Sequence, residues 1–132
     1  MAINIFISHR WGYEYTNDYT EISGAVDRSK YTVSDRSITS DNPLGGTVTE
    51  VTSAIKGKID SSSIILAPAR PAAVTSGSMG RKEVDYAVSK GKKIIAVKTS
   101  GTDSVASYWN ENDIPIVACR RDSISNKIDE LL

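Results

Sequence analysis

The sequence predicts an α/β fold in which short strands alternate with amphipathic helices. Three of the predicted strands are continuously apolar, which is typical of strands that helices cover on both faces of a parallel sheet. Strand–helix alternation repeated five times indicates an open sheet between two helical layers. Five short apolar runs, rich in β-branched residues, predict the strands: Ile3–Ile7, Tyr31–Val33, Ile64–Ala67, Ile94–Val97 and Ile114–Ala118.

The two weakest runs fit the edges of a sheet with the strand order 2-1-3-4-5. Tyr31–Val33 is short and half polar, and the last run contains Pro115, which a central strand would not tolerate. We therefore expect a flavodoxin-like three-layer sandwich, a five-stranded parallel sheet with helices on both faces. The length of 132 residues fits a single domain over residues 1–132.

Between the strands, apolar residues recur at helical spacing and predict which side of each helix packs on the sheet. Asp103 is expected to cap the short fourth helix. In chain order the predicted sheet-facing residues are Tyr15, Tyr19, Ile22 and Val26; Val48, Val51, Ile55 and Ile59; Val84, Ala87 and Val88; Val105, Tyr108 and Trp109; and Ile124, Ile128 and Leu131.

The composition excludes several functional classes. Lys+Arg and Asp+Glu both number 16, so the formal net charge of zero argues against a nucleic-acid or membrane-surface partner. A single cysteine, Cys119, excludes an internal disulfide framework and a cysteine-based zinc site. No apolar run approaches the ~18 residues of a membrane span, and the N-terminus lacks the pattern of a signal peptide. We expect a cytoplasmic protein.

In such a sheet, ligands bind outside the carboxyl ends of the strands, near the switch point between the first and third strands. No phosphate-binding glycine motif follows a strand, and His9, the only histidine, lies in no catalytic motif. No metal is expected, because no set of His, Cys and carboxylate ligands converges. The loops at that edge are Ser8–Tyr13, Ser34–Gly46, Pro68–Ser78 and Thr99–Asp103.

Several segments, taken in order and with their spacing, resemble TIR and TIR-like domains over most of the chain. Each segment alone is weakly diagnostic. The matching segments are Asn4–His9 (NIFISH), Ser34–Ile38 (SDRSI), Val51–Ala67 (amphipathic helix, turn and third strand), and Lys82–Ala87 (KEVDYA) followed by Gly91–Val97 (GKKIIAV).

Within that family, the chain resembles the TIR-like proteins of the bacterial Thoeris anti-phage system. The resemblance implies cleavage of NAD at the nicotinamide–ribose bond, with NAD as substrate and no permanently bound cofactor. It also implies a cyclic ADP-ribose-type product that activates a separate effector protein, in response to a phage-derived trigger. The segment 41–46 (DNPLGG) stands where the family has a mobile loop that joins neighbouring subunits, although it also fits an ordinary Pro/Gly turn before a helix.

Glu83 is the catalytic residue that the resemblance implies, and its position is chemically suitable. It falls in the first turns of the helix after the third strand, at the ligand-binding edge. Ordinary glycosidases need a second carboxylate to protonate the leaving group. Nicotinamide leaves NAD as a neutral molecule, so one carboxylate that stabilises the oxocarbenium-like centre can suffice. The alternative is a capping box, with Gly80 as N-cap and Glu83 three residues later.

The predicted nucleotide-binding residues lie in the same loops. Trp and Arg side chains can stack on and cradle a nucleotide, and Asp35 can hold a ribose hydroxyl. The alternatives are packing at the start of the first helix and a cap on the turn after the second strand. Met79 stands where the family usually has an aromatic residue in the wall of the pocket. The full set is Ser8, His9, Arg10, Trp11, Asp35, Ser37 and Met79.

Two other functions remain open at this point. One is a non-catalytic TIR-like module that self-associates or docks onto a partner and does not depend on Glu83. The other is a nucleoside deoxyribosyltransferase-like enzyme, which would use the same glutamate as a nucleophile on free deoxynucleosides and ignore NAD.

Overall fold

The computed structural model describes residues 3–8, 16–33, 53–74, 79–100 and 104–132. The strands in these ranges are β1 (Ile3–Ile7), β2 (Tyr31–Val33), β3 (Ile64–Pro68), β4 (Lys93–Lys98) and β5 (Ile116–Ala118). The helices are α1 (Thr16–Ala25), α2 (Ser53–Asp60), α3 (Met79–Ser89), α4 (Ser107–Glu111) and α5 (Arg121–Leu131), with a 3-10 turn at Pro71–Val74.

The five strands form one parallel sheet with the order β2-β1-β3-β4-β5. This confirms the predicted α/β fold and the predicted strand order. The first two strands have the predicted bounds, and β3 and β4 are longer than predicted by one and two residues. The longer strands follow from pairing, because Lys93 and Pro68 have partners in the register of β3 with β4.

The last strand is shorter than predicted, although it lies at the edge as expected. The predicted run began at Ile114, whereas β5 begins at Ile116. Pro115 has no N–H to donate to a ladder, and Asp113, with φ 56°, turns the chain just before it. Pro115 joins the ladder between β4 and β5 only through its carbonyl, which accepts a hydrogen bond of 2.9 Å from the Ala96 N–H.

Alternating strand residues divide the core into two layers, because neighbouring side chains in a strand point to opposite faces. In β1, Ile5 and Ile7 face α1 and α5, whereas Phe6 faces the layer formed by α2, α3 and α4. All three side chains are fully buried. The continuous apolar runs of the sequence are thus explained by helices on both faces.

Most of the predicted sheet-facing residues that the structure describes are buried, but two are not. Val88 is 38% exposed because it borders an open groove between the last turn of α3 and the turn before β5. Val105 is 37% exposed because it precedes α4. The buried residues are Ile22, Val26, Ile59, Val84, Ala87, Tyr108, Trp109, Ile124 and Ile128, and Leu131 is partly buried.

The predicted N-cap of the short fourth helix is wrong. The helix starts at Ser107 with Ala106 in the N-cap position, and no side chain caps it. Asp103 lies outside the described residues and too early in the chain to cap this helix. Tyr15, Val48 and Val51 also lie outside the described residues, as do the side chains of Tyr19 and Ile55.

None of the helices within the described ranges is long and apolar enough to cross a bilayer. The longest, α3 and α5, have 11 residues each, against about 20 for a membrane-spanning helix.

Candidate active site

The switch point of the sheet lies between β1 and β3. From β1 the chain crosses to β2 on one side, and from β2 it passes back to β3 on the other side of β1. Ser8, the residue after β1, connects the ends of these two strands, because its N–H donates a 2.8 Å hydrogen bond to the Leu66 carbonyl of β3. The carboxyl ends of these two strands therefore form the place where ligands of open α/β sheets bind.

A buried hydrogen bond joins two polar side chains at this point. The Ser8 hydroxyl donates to Oε1 of Glu83 over 2.7 Å, linking residues 75 positions apart in the sequence. Both residues are only 1% exposed. Ser8 was predicted to bind nucleotide and Glu83 to be catalytic, and the structure brings the two together.

Glu83 is held by the helix that follows β3. It is the fifth residue of α3, and its neighbour Val84 is fully buried against the sheet. The capping-box alternative is wrong, because Gly80 lies inside the helix and no acidic residue is in its first turn. The carboxylate bonds instead to Ser8 across the layer between helix and sheet.

A carboxylate in this position is energetically unfavourable unless other groups support it. Moving a charged group out of water costs several kcal/mol in a protein, so glutamates are seldom fully buried without a partner. The Ser8 hydroxyl supplies such support, because it donates a hydrogen bond to the Glu83 carboxylate. A buried carboxylate at a ligand-binding edge is a feature of functional sites.

The solved structures contain a protein of the same fold. The chain is similar to the CMP N-glycosidase BcmB of Clostridium botulinum, with a TM-score of 0.54 and 15% sequence identity. The alignment covers 98% of this chain and 99% of that one. No protein-family model and no curated protein sequence matches the chain. The similarity to this N-glycosidase therefore shows a shared fold along the chain.

Two further polar residues, Arg70 and Thr99, lie at the same carboxyl edge of the sheet. Arg70 follows β3 and donates from a terminal guanidinium nitrogen to the Thr99 hydroxyl over 3.4 Å. Thr99 follows β4 and is only 4% exposed. Ser100 donates its N–H to the Glu21 carboxylate of α1 over 3.1 Å, which ties the end of β4 to the helical layer on that side.

Sequence reasoning placed Arg70 and Thr99 in edge loops but did not single them out. The available signal was their position, since each comes one or two residues after a buried central strand. The contact between them could not be foreseen, because it depends on the register of β3 with β4.

The remaining predicted binding residues lie mostly outside the described part of the chain. His9, Arg10, Trp11, Asp35 and Ser37 fall there, and so does the loop 41–46. Met79 is the first residue of α3, and its side chain is outside the description. Within the described ranges, no group of three or more His, Cys, Asp or Glu side chains could hold a metal ion.

Proposed function

We propose that the protein cleaves the N-glycosidic bond of a nucleotide, with the Glu83 carboxylate acting on the ribose carbon of that bond. The observation that carries this proposal is the buried hydrogen bond between Ser8 and Glu83 at the switch point of the sheet. The shared fold with a CMP N-glycosidase supports it, since that protein's name gives the same class of bond.

The chemistry can be written from this geometry. The bond between C1′ and the base nitrogen breaks, and its electron pair leaves with the base. Positive charge develops on the ribose, and the negative charge of Glu83 stabilises it. A nucleophile then forms the new bond at C1′, either directly or after Glu83 has formed a covalent glycosyl intermediate. Water gives a hydrolysed sugar, whereas an adenine nitrogen or a ribose hydroxyl of the same molecule gives a cyclic product, and a proton is released in each case. Ser8 holds one carboxylate oxygen throughout, so the other oxygen faces a fixed direction.

We propose NAD as the substrate, because the leaving group decides what the site must supply. A cytosine that leaves with an electron pair needs a proton, whereas nicotinamide leaves as a neutral molecule. Among the described residues, the group that bonds Glu83 is the Ser8 hydroxyl, which is not acidic at neutral pH and therefore favours a leaving group that needs no proton. The TIR-like resemblance adds the cyclic ADP-ribose-type signal, the separate effector, the phage-derived trigger and self-association through the loop 41–46.

A nucleoside deoxyribosyltransferase-like activity is supported equally well by the shared fold. It would use Glu83 as the nucleophile and pass the deoxyribosyl group to a second base rather than to water. The same carboxylate serves both reactions, so the substrates distinguish them.

The test is a substrate panel of NAD, CMP, and deoxycytidine mixed with adenine, with the released bases and sugar products separated by chromatography. Glu83→Gln keeps the shape of the side chain and an acceptor for Ser8 but removes the charge. We expect it to lower the rate on the true substrate by at least ~100-fold. Glu111→Gln, a change at an exposed carboxylate of α4, is the control and should leave the rate unchanged.

Each product has a distinct meaning. Nicotinamide with a cyclic ADP-ribose species supports the signalling function, and nicotinamide with free ADP-ribose supports an NAD hydrolase. Cytosine from CMP supports a nucleoside monophosphate glycosidase, and deoxyadenosine from the mixture supports the transferase. A folded protein that cleaves none of them, or a Glu83→Gln variant as active as the wild type, would contradict the proposal.

A further inference from the structure

Arg70 lies at the carboxyl edge of the sheet, where hydrogen bonds fix the backbone of the residue before it. The preceding residue, Ala69, is fully buried and donates its N–H to the Val97 carbonyl of β4 over 2.8 Å. The Ala69 carbonyl accepts two hydrogen bonds, from the Ala106 N–H over 3.0 Å and from Nε1 of Trp109 over 2.9 Å. These bonds fix the direction in which the chain leaves β3.

The side chain of Arg70 is held across the ends of two central strands. Its guanidinium donates to the hydroxyl of Thr99, a buried residue that follows β4. Arg70 itself is half-buried. A guanidinium carries five N–H donors in a planar fork that fits phosphate oxygens, so Arg70 can bond Thr99 and an anion at the same time.

The distance of Arg70 from Glu83 indicates which anion Arg70 would bind. Neighbouring strands lie ~4.8 Å apart, so the ends of β3 and β4 are about 5 to 10 Å from the end of β1, where Ser8 bonds Glu83. One ribose unit spans a separation of this order. The distance from Glu83 therefore matches Arg70 to the 5′-phosphate of a nucleotide whose anomeric carbon lies at Glu83.

We propose that Arg70 binds the phosphate on the ribose whose glycosidic bond Glu83 cleaves, with Thr99 orienting the guanidinium. This inference rests on the proposed function, and it narrows the substrates to phosphorylated nucleosides. Free nucleosides, which lack the phosphate, bind only through their sugar and base.

Binding to the Glu83→Gln protein tests the subsite without turnover. The probes are two pairs that differ only in the phosphate: CMP against cytidine, and nicotinamide mononucleotide against nicotinamide riboside. Isothermal titration gives the dissociation constants. In this background we expect Arg70→Ala to weaken binding of at least one phosphorylated probe by about 10- to 100-fold, the usual loss of a charge-assisted contact, and to leave its nucleoside unchanged.

Two further variants make the test specific. Arg70→Lys keeps the charge but not the fork, and should restore part of the affinity for the phosphorylated probe. Arg28→Ala, at the opposite edge of the sheet in the turn before β2, should change nothing. The proposal is overturned if Arg70→Ala weakens nucleoside and nucleotide equally, if it weakens neither, or if no phosphorylated probe binds.

The result also separates the subsite from the proposed function. Phosphate-dependent binding through Arg70 in a wild-type protein that cleaves no nucleotide would retain the subsite and contradict the enzyme. Cleavage of a nucleotide with unchanged KM in Arg70→Ala would retain the enzyme and contradict the subsite.

Discussion

The Ser8 hydroxyl replaces part of the hydration that the buried Glu83 carboxylate has lost, and it also orients that carboxylate. A hydrogen bond to a charged group contributes about 1.5–3 kcal/mol, more than a bond between neutral groups. Here it also fixes the carboxylate relative to the end of β1, because Ser8 is anchored by its own N–H to Leu66. A general base or nucleophile that can rotate loses part of its effect, since the reacting atoms must be aligned before the reaction.

Replacing Ser8 with alanine should therefore damage both stability and activity. We expect the free energy of unfolding to fall by about 1–3 kcal/mol and kcat/KM on the substrate to fall by about 10- to 100-fold. Urea unfolding and steady-state kinetics measure the two effects.

Ser62 provides a matched control for this change. It is also buried, at 3% exposure, and its hydroxyl donates to the Lys58 carbonyl over 2.6 Å. It lies before β3, at the opposite edge of the sheet from Glu83. Ser62→Ala should lower stability without changing kcat/KM. Equal loss of activity in the two variants would mean that Ser8 has only a structural role.

The candidate residues illustrate what a sequence can and cannot predict at this scale. The position of Glu83 was predictable, because a helix after a central strand places its first turns at the ligand-binding edge. Its hydrogen bond to Ser8 was not, since it joins side chains 75 residues apart and depends on how α3 packs on the sheet. The capping-box alternative used only local spacing, and the observed start of α3 contradicts it.

At the scale of elements, three side chains connect α3, the helix that carries Glu83, to its neighbours. Arg81 bonds Asp85 over 3.2 Å, one helical turn away, and donates to the Val74 carbonyl of the 3-10 turn over 3.2 Å. Its guanidinium lies 4.4 Å from the ring centre of Tyr108 in α4. The Tyr108 hydroxyl completes the connection by donating to Asp85 over 2.5 Å.

This connection between α3 and α4 predicts a pH dependence. Burial, and then the hydrogen bond to Asp85, raise the pKa of Tyr108 above its ordinary value of 10.0. A group with a higher pKa in the folded state stabilises the fold fully below its unfolded pKa, and this contribution is lost as pH rises above it. We expect the free energy of unfolding to fall above pH ~10 in the wild type.

Tyr108→Phe isolates this effect because it removes the titrating hydroxyl and keeps the ring. The variant should be less stable than the wild type at pH 8, where the bond to Asp85 is intact. The difference should shrink as the pH approaches 11, since only the wild type loses the contribution of the phenol. Urea unfolding at several pH values measures it. A difference that stays constant between pH 8 and 11 would show that the environment of Tyr108 does not shift its pKa.

The helices also show where periodicity stops being predictive. Val84, Ala87 and Val88 share one side of α3, yet Val88 is exposed because it borders the open groove before β5. Hydrophobic spacing indicates which side of a helix is apolar, but it does not indicate how much of that side other elements cover. The apolar spacing of Val105 with Tyr108 and Trp109 predicted a fourth helix that includes Val105. The observed helix begins after Val105, at Ser107.

At the scale of the molecule, the strand order was predictable from a few local properties. A half-polar strand and a strand limited by Pro115 fit only the edges, and continuous apolar runs fit only the centre. The arrangement of the two helical layers follows from the same sheet, because each central strand contributes alternate residues to both layers. Substrate identity is not encoded in this pattern, since unrelated functions occur on one fold.

The shared sheet also predicts how the molecule unfolds. Ile64 and Ile65 are adjacent in β3 and both fully buried, but Ile64 faces α1 and α5 whereas Ile65 faces the layer that contains Trp109. Losing either layer would expose one face of the same strands to water, so neither layer can unfold alone without disrupting the sheet. A single cooperative transition is expected, as for most domains of this size.

Ile64→Val and Ile65→Val test this cooperativity. Each should lower the free energy of unfolding by about 0.5–1.5 kcal/mol. Circular dichroism follows the helices of both layers, and the fluorescence of Trp109, measured in a Trp11→Phe background, follows the α2–α4 layer alone. Because the sheet couples the layers, Ile64→Val should shift the fluorescence midpoint as far as the circular dichroism midpoint, although Ile64 faces away from Trp109. If Ile64→Val shifted the circular dichroism midpoint and left the fluorescence midpoint unchanged, the two layers would be independent folding units.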